Sequence, residues 1–197
     1  MSAEVWLVTG AQASGKSTVA DLLARQFERG VHVRGGQFYR WAVRGWVEFA
    51  DPGQQQEARR LLDLRYRLSA RAAVEYASAG FTCVVQDNIY GDDVATWLEM
   101  IAPLTTHLVV LRPDVSTVAK RDEARNRATG KVAYRGAFTP EVNDAHLATI
   151  PRQLGGLWLD SSEQTPTETM LEILARSGET LVARDVSTAA RTSDDLS

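Results

Sequence analysis

The sequence feature that most constrains this chain is a glycine-rich loop that lies between an apolar strand pattern and a helical pattern. The loop reads GAQASGKST from position 10 to position 18 and fits G-x-x-x-x-G-K-[ST], with Lys16 and Ser17 near its end. The apolar run at residues 5–8 is typical of a buried parallel strand. After the loop, apolar side chains recur at helical spacing, at Val19, Leu22, Leu23 and Phe27. A strand, a loop and a helix in this order predict a site for phosphate groups.

Each residue type in this loop has a chemical reason to be there. Glycines let successive backbone N–H groups turn inward, where a side chain would crowd a phosphate. Lys16 supplies a mobile positive charge for the outer phosphates, and the Ser17 hydroxyl can take one position on Mg²⁺. The N-terminal end of the following helix adds a positive potential. The predicted nucleotide contacts in the loop are Gly10, Ala13, Ser14, Gly15, Lys16, Ser17 and Thr18.

Length and charge limit the classes of protein to which the chain can belong. Its 197 residues suit one domain, which we predict over residues 1–183, followed by a polar, weakly ordered tail at residues 184–197. The net charge of -3 argues against a general nucleic-acid or membrane-surface binder. We therefore expect neither a nucleic-acid partner nor a membrane partner, and the sequence leaves open whether the protein forms a homodimer.

The cysteine, histidine and apolar patterns favour a cytoplasmic protein without zinc. The single cysteine, Cys83, excludes an internal disulfide and fits a reducing compartment. No apolar stretch approaches the ~20 residues of a membrane span, and residues 1–10 lack the basic start and long apolar core of a signal peptide. The three histidines lie far apart without ligand-like spacing, so we predict no zinc site.

Five apolar segments alternate with helical patterns along the chain. They lie at residues 5–8, 31–33, 81–85, 108–111 and 156–159. This alternation predicts an α/β fold in which helices sandwich a five-stranded parallel sheet with right-handed crossovers. Open parallel sheets bind ligands at the carboxyl ends of their strands, where Asp87 follows the third apolar segment. There Asp87 either holds Mg²⁺ or takes a proton from an attacking hydroxyl, or it caps the following loop.

Aromatic and arginine residues dominate the region between the second and third predicted strands. Phe38, Trp41, Trp46 and Phe49 are spaced for one helical face, which forms either core or an aromatic wall for an organic acceptor. A long helix is predicted over residues 54–78, with Leu61, Leu64, Leu68, Ala72 and Tyr76 as its inner stripe. Its arginines, at positions 59, 60, 65, 67 and 71, favour a solvated face paired with acids, from which one or two reach an anionic ligand.

Two arginines on a later helix share one face. Arg121 and Arg125 stand four residues apart and present planar charged groups suited to phosphates or a nucleobase, although local pairing with Asp122 and Glu123 also explains them. The segment over about residues 126–140 is glycine-containing and poor in apolar anchors, as a lid would be. Thr165 then begins a capping box for the last helix.

These features together resemble the P-loop small-molecule kinases. The similarity is greatest to the bacterial phosphotransferases that include chloramphenicol phosphotransferase and tunicamycin-resistance-type proteins, on the strength of VVQD at the third strand and GLWLDSSEQTPTET before the last helix. The resemblance implies a P-loop NTPase fold, ATP and Mg²⁺. It places Arg121 against adenine, Arg125 near the transferred phosphate and Arg127 as a less certain second lid contact. We predict that Lys16, Arg121 and Arg125 are catalytic residues that balance the charge growing on the transferred phosphate, and that Asp87 is a fourth, which orients the metal, water or the hydroxyl.

The chain departs from this group on the acceptor side. The group usually has an aspartate at the end of the second strand that serves as base for the acceptor hydroxyl, and Gly36 stands at the matching position here. Either Asp87 takes the role, or the substrate needs little base catalysis, or the protein binds ATP and ligand without efficient transfer. The predicted acceptor contacts are Arg34, Gln37, Phe38, Trp41 and Tyr90, and the predicted metal ligands are Ser17 and Asp87.

Three functions follow from the sequence. The first is an ATP- and Mg²⁺-dependent kinase that phosphorylates a hydroxyl of a small organic molecule, such as an antibiotic or a related metabolite. The second is a nucleoside or nucleotide kinase, for which Arg34, Arg40 and Arg44 are candidate phosphate contacts. The third is an ATP-linked ligand-binding resistance protein without efficient transfer. The sequence leaves open the acceptor and the preference for ATP or GTP.

Overall fold

Five parallel strands form the centre of the protein. The computed structural model describes residues 4–49 and 51–183. The strands are β1 Glu4–Gly10, β2 Gly30–Arg34, β3 Thr82–Gln86, β4 Thr105–Leu111 and β5 Leu157–Leu159. They are ordered β2-β3-β1-β4-β5 and pair in parallel throughout. This arrangement confirms the predicted α/β fold, and it brings the carboxyl end of β3 between those of β1 and β2.

Helices cover both faces of the sheet. They are α1 Lys16–Ala24, α2 Gly36–Trp41, α3 Gln55–Ser78, α4 Asp93–Met100, α5 Val115–Thr129, α6 Pro140–Ala148 and α7 Pro166–Ala175, with short 3-10 turns at Arg152–Leu154 and Ser177–Thr180. Alternate side chains of the strands point to opposite faces. Leu7 and Val85 therefore pack under α3 and α4, whereas Trp6 and Val8 pack under α1 and α7.

Two predictions about the region between β2 and β3 are wrong. The aromatic segment is not one helix, because α2 ends at Trp41 and the chain continues in irregular structure through Gly45, whose φ of 84° is left-handed. The buried face of α3 also differs from the predicted inner stripe, since Leu64 and Tyr76 are exposed. The residues of α3 that are buried are Ala58, Arg65, Tyr66, Ser69, Ala70, Ala73 and Ala77. Small side chains let α3 approach the sheet closely, and this decides which face turns inward.

Other sequence predictions concern the cap of α7, membrane-spanning helices and the C-terminal tail. The capping box is present: Thr165 accepts a hydrogen bond from the backbone of Glu168, and the Glu168 carboxylate accepts one from the backbone of Thr165. Within residues 4–49 and 51–183, no helix is both long and apolar enough to cross a membrane. The predicted tail at residues 184–197 lies outside the described residues, and the domain boundaries stay a prediction.

Candidate active site

The loop between β1 and α1 folds into a concave turn that exposes backbone N–H groups. Gly10 has a φ of 147° and lies so close to β4 that a Cβ there would be 2.2 Å from the carbonyl oxygen of Leu111. Ala13 and Gly15 are both left-handed, with φ of 60° and 91°. Within the described part of the chain, the N–H groups of Ala13, Gly15, Lys16 and Ser17 have no hydrogen-bond acceptor. Such a nest of free donors at a helix N-terminus is suited to phosphate oxygens.

Lys16 lies inside this loop and is only 5% exposed. Its Nζ donates to the carbonyl oxygens of Gly10 and Ala11, at 3.0 Å and 2.5 Å. Burial lowers the pKa of Lys16 to about 7, although Asp87 opposes the shift. An ammonium group with this pKa is poised to gain full charge when phosphate oxygens surround it.

Asp87 follows β3 and is paired with an arginine that sequence reasoning placed at the surface. Its Oδ1 lies 2.8 Å from Nη2 of Arg65 and accepts a hydrogen bond of 2.7 Å from the backbone of Asn88. Arg65 comes from α3 and is 5% exposed, while Asp87 is 2% exposed. Burial raises the pKa of the Asp87 carboxyl, and Arg65 and Lys16 oppose this rise.

Two neighbouring glycines differ sharply in their surroundings. A Cβ on Gly35 would lie 2.0 Å from Oδ2 of Asp87, whereas a Cβ on Gly36 would meet nothing within 4 Å. The Asp87 carboxylate thus fills the space that a side chain at position 35 would need. Its Oδ2 is buried and has no hydrogen-bond partner among the described residues. A carboxylate is therefore present beside the end of β2, although β3 supplies it.

Aromatic rings surround this ion pair. The Arg65 guanidinium lies 4.4 Å from the ring centre of Tyr39, and the Tyr66 hydroxyl donates to the carbonyl oxygen of Asn88 at 2.9 Å. Sequence reasoning missed Arg65 and Tyr39 as site residues. The spacing of Ala58, Arg65, Ser69 and Ala73 on α3 is the signal that places Arg65 on the buried face.

The five predicted acceptor contacts are spread over this region. Phe38 packs against the core on the α3 side, while Trp41 is 66% exposed and meets Phe38 edge to face. Arg34 lies near Asp21 of α1, with 3.4 Å between Nη2 and Oδ1. Tyr90 is partly buried, with its hydroxyl 3.5 Å from the carbonyl oxygen of Gly10. Gln37 lies in the first turn of α2. Their roles as acceptor contacts stay predictions.

The arginines of α5 lie on the other side of the phosphate loop. Arg121 donates through Nη2 to the carbonyl oxygen of Ser161 at 2.8 Å, and its Nη1 lies 3.5 Å from that of Ser14. It thereby joins the loop after β5 to the phosphate loop, next to the predicted nucleobase position. Arg125 is paired with Asp122, and Arg127 lies 3.7 Å from Glu123 at the surface. The nucleotide contacts of all three stay predictions.

The residues present fit Mg²⁺ only together with a nucleotide. Among the described residues, no three His, Cys, Asp or Glu side chains are grouped as metal ligands. The Ser17 hydroxyl donates to Oε1 of Gln86 at 3.1 Å, which brings together two neutral oxygens. Mg²⁺ commonly takes few protein ligands, among them the loop Ser or Thr hydroxyl in P-loop proteins, and completes its octahedron with phosphate oxygens and water. Ser17 and Gln86 are adequate for that role, whereas Oδ1 of Asp87, also a predicted ligand, is paired with Arg65.

Known proteins share this architecture. The sequence matches the AAA domain family over residues 5–150, and none of the curated proteins matches it at a significant level. A sugar kinase from Janibacter sp. HTCC2649 has 17% identity and a TM-score of 0.58, with 93% of this chain and 98% of that chain covered. The tunicamycin resistance protein of Deinococcus radiodurans has 15% identity and a TM-score of 0.59, with coverage of 93% and 99%.

A shikimate kinase from Aquifex aeolicus vf5 is similar in the same way. It has 14% identity and a TM-score of 0.55, with 89% of this chain and 96% of that chain covered. At these identities the similarity is evidence of a shared fold and of nothing finer. The family match covers most of the chain and contains the phosphate loop, Arg65, Asp87 and the arginines of α5. The chain therefore belongs to the AAA domain family, and its fold is that of the P-loop small-molecule kinases.

Proposed function

We propose that this protein is an ATP- and Mg²⁺-dependent phosphotransferase that acts on a hydroxyl group of a small organic molecule. The observation that carries the proposal is the meeting of a buried lysine in a phosphate loop with a buried carboxylate at the neighbouring strand end. The first group suits a phosphate donor, and the second suits a hydroxyl acceptor. The kinase and resistance-protein neighbours, which share the fold at low identity, support the same function, and we propose an antibiotic or a related metabolite as the acceptor.

The residues of the phosphate loop would bind and orient the donor. The free N–H groups around Gly15 and the Lys16 ammonium would hold the phosphate oxygens and balance the charge that grows on them. Ser17 and Gln86 would hold Mg²⁺, which would supply further positive charge to the phosphates. Arg121 would pack against the base, and Arg125 would approach from the lid.

Asp87 would act on the acceptor. Its Oδ2 is unpaired and faces the β2 end, so it would accept the hydrogen bond of the attacking hydroxyl and then its proton. Arg65 would fix the carboxylate through Oδ1 and is a positioning residue rather than a participant in the chemistry. The rings of Tyr39 and Tyr90 would wall the acceptor.

A mass-spectrometric screen tests this function. The wild type is incubated with ATP, Mg²⁺ and a panel of hydroxylated antibiotics, sugars and nucleosides, and products are examined for an added phosphate group. With a true acceptor, Asp87→Asn should lower the rate by about 10²–10⁴-fold, the usual range for loss of a general base. Asp92→Asn changes an exposed carboxylate in the same loop and serves as the matched control. Full activity of Asp87→Asn would remove Asp87 from the mechanism.

The open space at Gly36 gives a second experiment. Because a Cβ there meets nothing within 4 Å, Gly36→Asp should fold normally and place a second carboxylate beside the β2 end. ATP-linked ligand binding without any product in the wild type, followed by transfer in Gly36→Asp, would favour a binding protein over a kinase. Turnover of nucleoside monophosphates alone would instead identify a nucleotide kinase.

A further inference from the structure

The peptide groups on both sides of Gln12 are held by residues from outside the phosphate loop. The Gln12 N–H donates to Oδ1 of Asn143 at 2.7 Å. The Tyr134 hydroxyl donates to the Gln12 carbonyl oxygen at 2.7 Å and lies 3.2 Å from the same Oδ1. We call Asn143 and Tyr134 the Gln12 clamp. These contacts span 131 and 122 residues of sequence, so they join separate parts of the fold.

Asn143 is the fixed member of the clamp. It lies in α6 and is 0% exposed. The neighbouring Asp144 accepts two hydrogen bonds, of 2.6 Å and 2.8 Å, from Arg112, which directly follows β4. A paired arginine and carboxylate of this geometry fix orientation as well as position. The clamp therefore has one arm anchored to the central sheet.

Tyr134 is the member that belongs to the predicted lid. Its segment is held to α5 because the N–H of Ala133 donates to Oδ1 of Asp122 at 2.9 Å. The same carboxylate is paired with Arg125, the predicted lid arginine. The Tyr134 ring also stacks on Phe138, with 5.7 Å between ring centres. Lid position, Arg125 and the Tyr134 hydroxyl are thus connected through one buried aspartate.

The residue that follows Gln12 is under backbone strain. Ala13 has a φ of 60°, a left-handed conformation that is unfavourable for a residue with a Cβ. Strained residues persist where the surrounding structure over-determines them, and they gather at ligand sites. The Tyr134 hydrogen bond to the Gln12 carbonyl oxygen therefore holds the peptide group that joins Gln12 to this strained residue.

We propose that Asn143 and Tyr134 are positioning residues that hold the phosphate loop in its binding conformation. This rests on the proposed function, since it concerns the donor site. Because Tyr134 comes from the lid, lid position and phosphate affinity are thermodynamically linked, and each must affect the other equally. Lid opening withdraws the Tyr134 hydroxyl and lowers the fraction of protein whose loop is competent to bind.

Inorganic tripolyphosphate tests the clamp because it reports on the phosphate loop without a base or an acceptor. Titration calorimetry should show Tyr134→Phe binding about 2- to 12-fold more weakly than wild type, the range that one ordinary hydrogen bond explains. Tyr76→Phe removes an exposed hydroxyl elsewhere and should bind like wild type. Asn143→Ala should bind more weakly still, and Gln56→Ala, which removes an exposed amide from α3, is its control.

A second experiment relieves the backbone strain at Ala13. If Tyr134 had only a structural role, this relief would leave the affinity for tripolyphosphate unchanged. Glycine adopts the left-handed conformation freely, so Ala13→Gly in the Tyr134→Phe background should recover most of the lost affinity. Trypsin gives an independent measure of the lid, because Lys131 and Arg135 are exposed on either side of Tyr134. Tripolyphosphate should slow cleavage at these sites in wild type and lose that effect in Tyr134→Phe.

The outcomes separate this inference from the proposed function. If wild type binds tripolyphosphate and Tyr134→Phe and Asn143→Ala bind it equally well, the clamp is overturned while the donor site stands. Tighter binding by Tyr134→Phe would also overturn it, because the clamp would then compete with phosphate. If wild type binds no tripolyphosphate at all, the proposed function fails, and the clamp fails with it.

Discussion

Alanine at position 35 would place a methyl carbon 2.0 Å from Oδ2 and 2.3 Å from Cγ of Asp87. Ordinary contacts between carbon and oxygen begin at about 3.3 Å, so the carboxylate would have to move by roughly 1 Å or more. That movement breaks the 2.8 Å contact with Arg65 and the hydrogen bond from Asn88. The backbone at Gly35, with φ of -57° and ψ of -38°, suits alanine, so the whole effect comes from the displaced carboxylate.

The expected cost is large because the pair is buried. Breaking a buried ion pair costs about 3–5 kcal/mol, and overpacking a core costs about 1–3 kcal/mol. We therefore expect Gly35→Ala to lower the free energy of unfolding by about 3 kcal/mol. For a domain of this size, each kcal/mol corresponds to about 2–4 °C, so Tm should fall by roughly 6–12 °C.

Gly36→Ala is the matched control for this experiment. It introduces the same methyl group one residue later, into open space at the start of α2. Replacing glycine by alanine at an unstrained helical position stabilises a protein by about 0.4–1 kcal/mol. Urea unfolding followed by circular dichroism would measure both variants. If the two variants unfold within about 1 kcal/mol of each other, the Asp87 carboxylate does not occupy the space beside Gly35.

Three further predictions concern other parts of the molecule. The Lys16 pKa of about 7 implies that bound nucleotide restores the charge of Lys16, so nucleotide titration by calorimetry at pH 8 in two buffers should show uptake of nearly one proton. The affinity for nucleotide should fall as the pH rises from 7 to 9. Lys16→Met should show no proton uptake. Arg65→Met should destabilise the protein by about 3–5 kcal/mol in urea unfolding, and adding Asp87→Leu should restore most of this loss without restoring transfer. Thr165→Ala should cost about 1 kcal/mol because it removes the α7 cap, whereas the exposed Thr167→Ala should be nearly neutral in thermal unfolding. Equal Tm values for the last two variants would contradict the importance of the cap.

Local patterns predicted the framework of this protein well. The phosphate loop, the five strands and the capped α7 each depend on residues that are close in sequence, so their spacing is sufficient to find them. The inner face of α3 was missed because two stripes have helical spacing and only packing chooses between them. The burial of Arg65 was missed for the same reason, since a charged residue is expected at the surface unless a partner is known.

The contacts that hold the site together could not be predicted from local sequence patterns, for a different reason. Asn143 and Tyr134 meet Gln12 across more than a hundred residues, and neither belongs to a motif with fixed spacing. The Asp87 position was found because strand ends converge at one edge of a parallel sheet. Its contact with Gly35 depends on the strand order, which the pattern of strands and helices did not specify.

Because β3 lies between β1 and β2, it separates two regions at the carboxyl edge of the sheet. The donor loop takes its support from β4, α5 and α6, through Leu111, Arg121 and Asn143. The acceptor side of the proposed function would include residues 35–49 and α3, which lie across β3 from that support. If the proposed function holds, substitutions confined to residues 36–49 are expected to change the choice of acceptor while phosphate binding stays unchanged.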